Sequence, residues 1–306
     1  MNHAPNPALT REALYAKSQI YIRRGLRAQE EKDDEEFQLW ASLALELLGK
    51  AALAKIHPAL IADPLHFQSM FSACGRHISP DIRTIAAKTV FERLNHVERT
   101  FDTRHQRYCE QMCIRRNAEL HSGESPFSGM EPETWEGQYW RSAEIILSMQ
   151  DESLESWLGA EEAKTPAKII EQVGKALVWS IRNRVLRCKE EFEERYKNAK
   201  DRKKIANDSK NIRWNDFTWD GNDRYLCPAC QSWGYLGGNL WEEDVIDSEP
   251  ATPGGEQDEW YPPTETVRKS FSVEAFECMV CKLSLYGTNE ISAVHLPSSF
   301  EKEEER

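Results

Sequence analysis

Two cysteine pairs, Cys227-Pro-Ala-Cys230 and Cys278-Met-Val-Cys281, constrain the last third of this chain more than any other feature. Two residues between the cysteines of each pair let both sulfurs turn back onto one ion from a tight turn. Together they supply the four thiolates of a closed tetrahedral zinc site. Tyr225-Leu226 and Phe276-Glu277 lead into the two turns, and Gly234, Gly237 and Gly238 allow the chain to reverse after the first. The stretch from Cys230 to Cys278 exceeds the roughly 15 to 20 residues usual between such pairs. The surplus, Trp241 to Thr264, is acidic and proline-rich and reads as an insertion at a hairpin tip. Redox dithiols are the other reading of C-x-x-C, but they belong with a thioredoxin-like βαβ pattern that this sequence lacks. The predicted cofactor is therefore one structural Zn2+ per chain. With all four positions filled, no place is left for a substrate water, and no catalytic metal is expected.

The chain before residue 210 carries helical periodicity and no strand alternation. Arg11 to about Glu30 is amphipathic and basic. Phe37 to Ile56 places Phe37, Trp40, Leu43, Ala44, Leu47, Leu48 and Ala51 at helical spacing and stops before Pro58. Asp63-Pro64 marks a turn. Pro80-Asp81 predicts the opening of a helix from Ile82 to about Glu98, with a break or kink near Thr100 before a further segment, Phe101 to Leu120. Ser122 to Pro132 is a loop, and Trp135 to Leu147 is helical again. Thr165-Pro166 pairs an N-cap residue with proline at the first helical position. It opens a long stripe from Ile169 through Ile181 and Phe192 to Tyr196.

Past Arg213 glycine, tryptophan and proline dominate, and Arg224–Leu226 and Ser270–Cys278 alternate as short strands. The domain boundary is predicted between Lys204 and Trp219. The fold class is mainly α: a helical bundle over residues 1–160, a long connecting helix over 161–213 packing on it with a basic C-terminal end, and a small β-rich four-cysteine domain over 214–306. Cys74, Cys109, Cys113 and Cys188 fall on predicted helices and read as buried reduced thiols.

No apolar run approaches the roughly 20 residues that span a bilayer. Met1 to Thr10 is polar with no apolar core of a secretory signal, so a cytoplasmic protein without a membrane partner is expected. The net charge of -12 argues against a broad nucleic-acid-coating surface. The charge is uneven, however: Arg182 to Trp214 holds twelve Lys or Arg against six acids, and Leu240 to Glu265 holds nine acids and no base. A local RNA site is compatible with this total.

Arg116-Asn117-Ala118-Glu119-Leu120-His121 sets a phosphate-gripping guanidinium and an imidazole on one predicted helix. Asn117 and His121 are four apart and share a face. Gly123 ends the helix just beyond, which leaves His121 in its last turn beside the partial negative charge of the helix dipole. Arg99 and His105 match the same loose spacing, but that copy lacks the small amide after the arginine and reads as a solvated, mixed-charge helix face.

The four-cysteine segment resembles a zinc ribbon over about residues 222 to 290. Leu43-Ala-Leu-Glu-Leu-Leu-Gly-Lys50 followed by the late Arg-Asn-x-x-x-His before a glycine loop resembles the HEPN superfamily. That likeness covers roughly residues 10 to 200 and is strongest over 37–56 and 104–123. It implies a metal-independent endoribonuclease of the toxin or defence type, with Arg116, Asn117 and His121 of two subunits lining one cleft of a homodimer. Glu46 matches the acidic position of the family's early helix, and bridging to Arg116 or facing solvent are both open to it. RNA brings its own nucleophile, the 2′-hydroxyl, so cleavage needs only proton transfer and charge stabilisation at phosphorus. The expected products are a 2′,3′-cyclic phosphate and a 5′-hydroxyl. A neutralising or sensor protein partner fits the same likeness.

A catalytically silent dimerisation or sensor scaffold is the competing reading. In it Arg116 pairs with Glu119 or Asp102, His121 caps the helix, and the zinc ribbon docks a partner or nucleic acid. A DNA-linked zinc-ribbon regulator is a third. The tryptophans between Trp214 and Trp260 could stack bases or fill a small metal-stabilised core.

Overall fold

The computed structural model describes residues 4–213, 218–249, 252–253, 260–261 and 264–305. Its first two helices, α1 (Arg11–Glu30) and α2 (Asp34–Ile56), form an antiparallel pair, with Tyr21 against Trp40 and Gly25 against Phe37. Asp33 caps α2 by accepting from the Glu36 N–H at 2.9 Å, and Asp34, Glu35 and Glu36 fill the first turn, where negative charge suits the helix dipole. Both helices match the periodicity of the sequence. A short helix, α3 (Phe67–Ala73), follows.

The next helix, α4 (Ala87–Val97), starts later than Pro80-Asp81 predicts. Residues 81–86 are extended instead, because their backbone pairs with residues 61–63. Asp63 N–H donates to the Arg83 carbonyl and Ile85 N–H to the Ile61 carbonyl, both at 3.0 Å, around an Ala62–Thr84 bridge. The expected break near Thr100 is present, and α5 (Thr103–His121) opens on Asp102 as its N-cap. After the loop come α6 (Glu136–Ser148), α7 (Leu154–Leu158) and α8 (Lys164–Arg195). Thr165 is not the cap, since α8 already includes Lys164 and the Thr165-Pro166 pair lies inside its first turn.

The bundle core runs along α2 and α6. Phe37, Trp135, Tyr139, Trp140 and Trp157 are all essentially inaccessible and meet ring to ring, with Phe37–Trp135 centroids 5.0 Å apart and Tyr139–Trp140 at 4.8 Å. Buried phenols are satisfied by carbonyls: Tyr139 donates to Ala41 at 3.0 Å and Tyr108 to Trp135 at 2.9 Å. Gly49 brings α4 onto α2, since a Cβ there would lie 2.9 Å from a Val90 methyl.

Two compact units divide between Gly174 and Lys175, inside α8 and well before the boundary expected between Lys204 and Trp219. The reason is packing. Ile169 and Ile170 join the bundle core, whereas Ile181 and Phe192 are buried in the core of the second unit beside Cys227, Phe271 and Leu285. The first turns of the connecting helix therefore belong to the core of the first unit, and its later turns to the core of the second.

In the second unit α9 (Ala199–Asp208) precedes an antiparallel sheet. Its strands are β1 (Gly221–Leu226), β2 (Trp233–Glu249), β5 (Thr264–Glu277) and β6 (Ser284–Tyr286), in the order β1-β2-β5-β6, with β7 (Ser299–Glu305) also on β5. Two-residue strands β3 (Thr252–Pro253) and β4 (Trp260–Tyr261) pair with each other, and α10 (Thr288–Ala293) lies between β6 and β7. The acidic segment expected as a loop over Trp241–Thr264 is largely strand, paired from Glu242↔Ser270 to Glu249↔Thr264. Residues 250, 251, 254–259, 262 and 263 of that segment lie outside the described residues. No helix among the described residues is long and apolar enough to cross a membrane.

Candidate active site and metal centre

α2 and α5 bring Glu46 and Arg116 together. Arg116 is 8 % exposed, and its Nη1 donates to Glu46 Oε2. The other carboxylate oxygen, Oε1, accepts from Lys50 Nζ at 2.7 Å, one turn along α2, and Lys50 Nζ also donates to Thr84 Oγ1 at 3.0 Å. Thr84 is available because residues 81–86 are extended. Burial pushes the Glu46 carboxyl up, but the Lys50 charge and the hydrogen bonds from Arg116 and Lys50 outweigh it and hold the carboxyl below its ordinary value. Arg116 pairs with neither Glu119 nor Asp102, and Glu46 is a half-buried bridge to it instead of a solvent-facing glutamate.

The outer edge of Arg116 meets Asn117, whose Oδ1 accepts from Nε at 3.2 Å and from Nη2 at 2.9 Å. Asn117 and His121 are exposed and four apart on α5. His121 is the last residue of the helix, with Ser122 beyond it as C-cap. The cluster thus has a buried charged floor, Glu46–Lys50–Arg116, and an accessible polar rim, Asn117 and His121. The floor holds two cations against one carboxylate, which favours an anion at the rim. Glu46 supports the guanidinium. Lys50 was not among the expected site residues; its place four after Glu46 on the same helix was the available signal.

The second Arg-to-His match is not a solvated face. His105 is 6 % exposed and its Nδ1 lies 2.8 Å from Asp102 Oδ1, which also caps the Arg104 and His105 N–H groups. Phe101 packs on the imidazole at 5.9 Å between centroids. This pair locks the start of α5.

Cys227, Cys230, Cys278 and Cys281 are all buried, with their sulfurs within 4.8 Å of one another. The two knuckles repeat one geometry. Cys227 N–H donates to the Ser232 carbonyl and Cys278 N–H to the Leu283 carbonyl, at 2.8 and 2.9 Å. Gln231 and Lys282 close the turns with φ of 59° and 65°. Ala229 N–H points at Cys227 Sγ at 3.4 Å, a donor suited to a metal-bound thiolate. Four thiolates this close would repel one another, and a cation among them favours the deprotonated set. The donor set and its convergence fit a four-coordinate metal ion.

Of the other cysteines, Cys109 and Cys113 are buried as expected, Cys188 is half-buried, and Cys74 is exposed at the C-cap of α3. Trp219 and Trp233 are half-buried. Gly237 lies directly against the Trp219 ring and Lys210 over Trp233 at 5.5 Å, so these two tryptophans serve packing. In comparisons with known proteins, no family model, no curated protein and no solved structure matches this chain.

Proposed function

We propose that the chain is a metal-independent endoribonuclease of the HEPN type, acting as a homodimer whose composite cleft takes Arg116, Asn117 and His121 from each subunit. The observation that carries the reading is the buried Arg116–Glu46 bridge beneath an exposed Asn117–His121 rim. It gives a preoriented guanidinium for the phosphate and an accessible imidazole on one helix. In this reading the 2′-hydroxyl attacks phosphorus, His121 transfers the proton as general acid or base, and Arg116 stabilises the developing negative charge. The products are a 2′,3′-cyclic phosphate and a 5′-hydroxyl. Support for the dimer comes from Ile114 and Leu120, large apolar residues on α5 that are 66 % and 49 % exposed beside the motif.

The four-cysteine centre holds one structural Zn2+, which fixes the two knuckles and takes no part in cleavage.

Incubating the full chain with tRNA or total RNA, with and without EDTA, alongside Arg116→Ala and His121→Ala, tests the reading. Cleavage that survives EDTA and disappears in both variants supports it. Intact RNA under every condition, or cleavage unchanged in the variants, favours the silent scaffold.

A further inference from the structure

Arg116 is gripped on two sides that differ in kind. On the inner side, Nη1 is fixed by Glu46, whose side chain is 16 % exposed and is itself held by Lys50 at 2.7 Å. On the outer side, Nε at 3.2 Å and Nη2 at 2.9 Å converge on one neutral acceptor, Asn117 Oδ1, carried by an exposed residue. The Nε/Nη2 edge of a guanidinium is a planar fork that matches the oxygens of a phosphate. An amide oxygen there occupies the place of an anion oxygen while contributing no charge. A phosphate oxygen in that place adds the attraction of its own charge, which the amide oxygen lacks. The cluster's two cations against one carboxylate leave a positive surplus for such an anion to neutralise.

We infer that Asn117 is a placeholder, an internal occupant of the phosphate position that an incoming phosphodiester displaces. Glu46 and Lys50 are then positioning residues: they keep the guanidinium in place through the exchange, so that Arg116 turns nothing but its outer edge over to the ligand. The inference deepens the proposed function and rests on it for the identity of the ligand as RNA. It assigns Asn117 a restraining role in the resting site.

Titration of the full chain with inorganic phosphate by calorimetry tests the placeholder without any cleavage. Asn117→Ala is expected to bind phosphate about tenfold more tightly than wild type, because one competing hydrogen-bond acceptor is removed. Asn117→Asp puts a carboxylate in the fork and is expected to weaken binding by tenfold or more. Arg116→Met should abolish the phosphate signal. An affinity in Asn117→Ala equal to or below that of wild type overturns the inference, as does phosphate binding that survives Arg116→Met. RNA cleavage by the same preparations separates the two ideas. No cleavage by wild type, with tighter phosphate binding in Asn117→Ala, removes the nuclease and leaves the placeholder. Cleavage by wild type, with weaker phosphate binding in Asn117→Ala, removes the placeholder and leaves the nuclease.

Discussion

Arg116 on α5 donates to the carboxylate of Glu46 on α2, 70 residues earlier in the chain. The bond ties the helix that carries the candidate motif to the helix at the centre of the bundle. Lys50 completes the arrangement, so one carboxylate serves two cations in a largely buried place.

Removing Glu46 leaves both cations without compensation. Glu46→Ala is expected to cost about 3–5 kcal/mol, the range for breaking a buried pair from one side. Urea unfolding of wild type and variant measures it; a loss under about 1 kcal/mol, the level of a surface pair, would show that the bridge does not hold the helices.

The same group gives a pH dependence. The folded carboxyl sits below its ordinary value, so its contribution to stability is complete above the unfolded value, about 4.3. That contribution disappears as pH falls through the lower folded value. The stability gap between wild type and Glu46→Gln should be widest near neutrality and narrow on acidification below about pH 4. Unfolding curves near neutrality and in acid about one unit below the unfolded value check it, and a gap that widens in acid would reverse the sign of the linkage.

The metal centre predicts a separate response. Freshly purified full chain should carry one zinc per chain by elemental analysis. Cys278→Ser should lose the metal and expose the β-rich unit to protease, because apparent zinc free energies of about 10–16 kcal/mol are folding free energy in such sites. Cleavage confined to the helical first unit, with the sheet intact, would contradict a structural role.

Much of this was legible because the signals are local. The cysteine spacing picked out the four thiols that converge, and the periodicity of Phe37–Ile56 located α2 to the residue at its end and to within three residues at its start. What escaped was set by distant partners. Residues 81–86 have a helix-start signal in Pro80-Asp81, yet their backbone groups are claimed by residues 61–63. His105 is the exception: it sits in a run of mixed charge, and the partners that bury it, Phe101 and Asp102, lie only four and three residues before it, where the N-cap geometry of α5 folds them back onto the imidazole. The domain boundary was misplaced because a continuous apolar stripe does not reveal that its first turns and its later turns enter different cores. Glu46 was recognisable by likeness alone, and its bridge to Arg116 needed the packing of α2 on α5.

Thiol labelling gives a prediction independent of function. Burial pushes the Cys113 thiol up to about 12, leaving a thiolate fraction near neutrality on the order of one in 10⁵. Cys109 is wholly inaccessible, whereas Cys74 is exposed. Iodoacetamide at neutral pH should modify Cys74 first, with Cys109 and Cys113 reacting only on unfolding. Peptide mapping of a time course reads the order; early modification of Cys113 would mean that α5 opens readily from the bundle.

The exposed apolar residues of α5 make the dimer testable without RNA. Ile114, Asn117 and His121 recur at three and four residues and so share a helical face, and Ile114 is 66 % exposed on it. Burying one isoleucine at an interface contributes roughly 1.5–3 kcal/mol, and each chain of a two-fold pair supplies its own copy. Ile114→Asp instead places a charge there from each subunit, which costs interface stability twice. Because the residue is exposed within the single chain, the variant should keep its helical content and its unfolding midpoint in the monomer. Light scattering after size exclusion is expected to find wild type at twice the chain mass and Ile114→Asp at the chain mass, with RNA cleavage lost in parallel. A wild type that stays at the chain mass at all concentrations would remove the composite cleft, and with it the requirement that two copies of Arg116 and His121 act together.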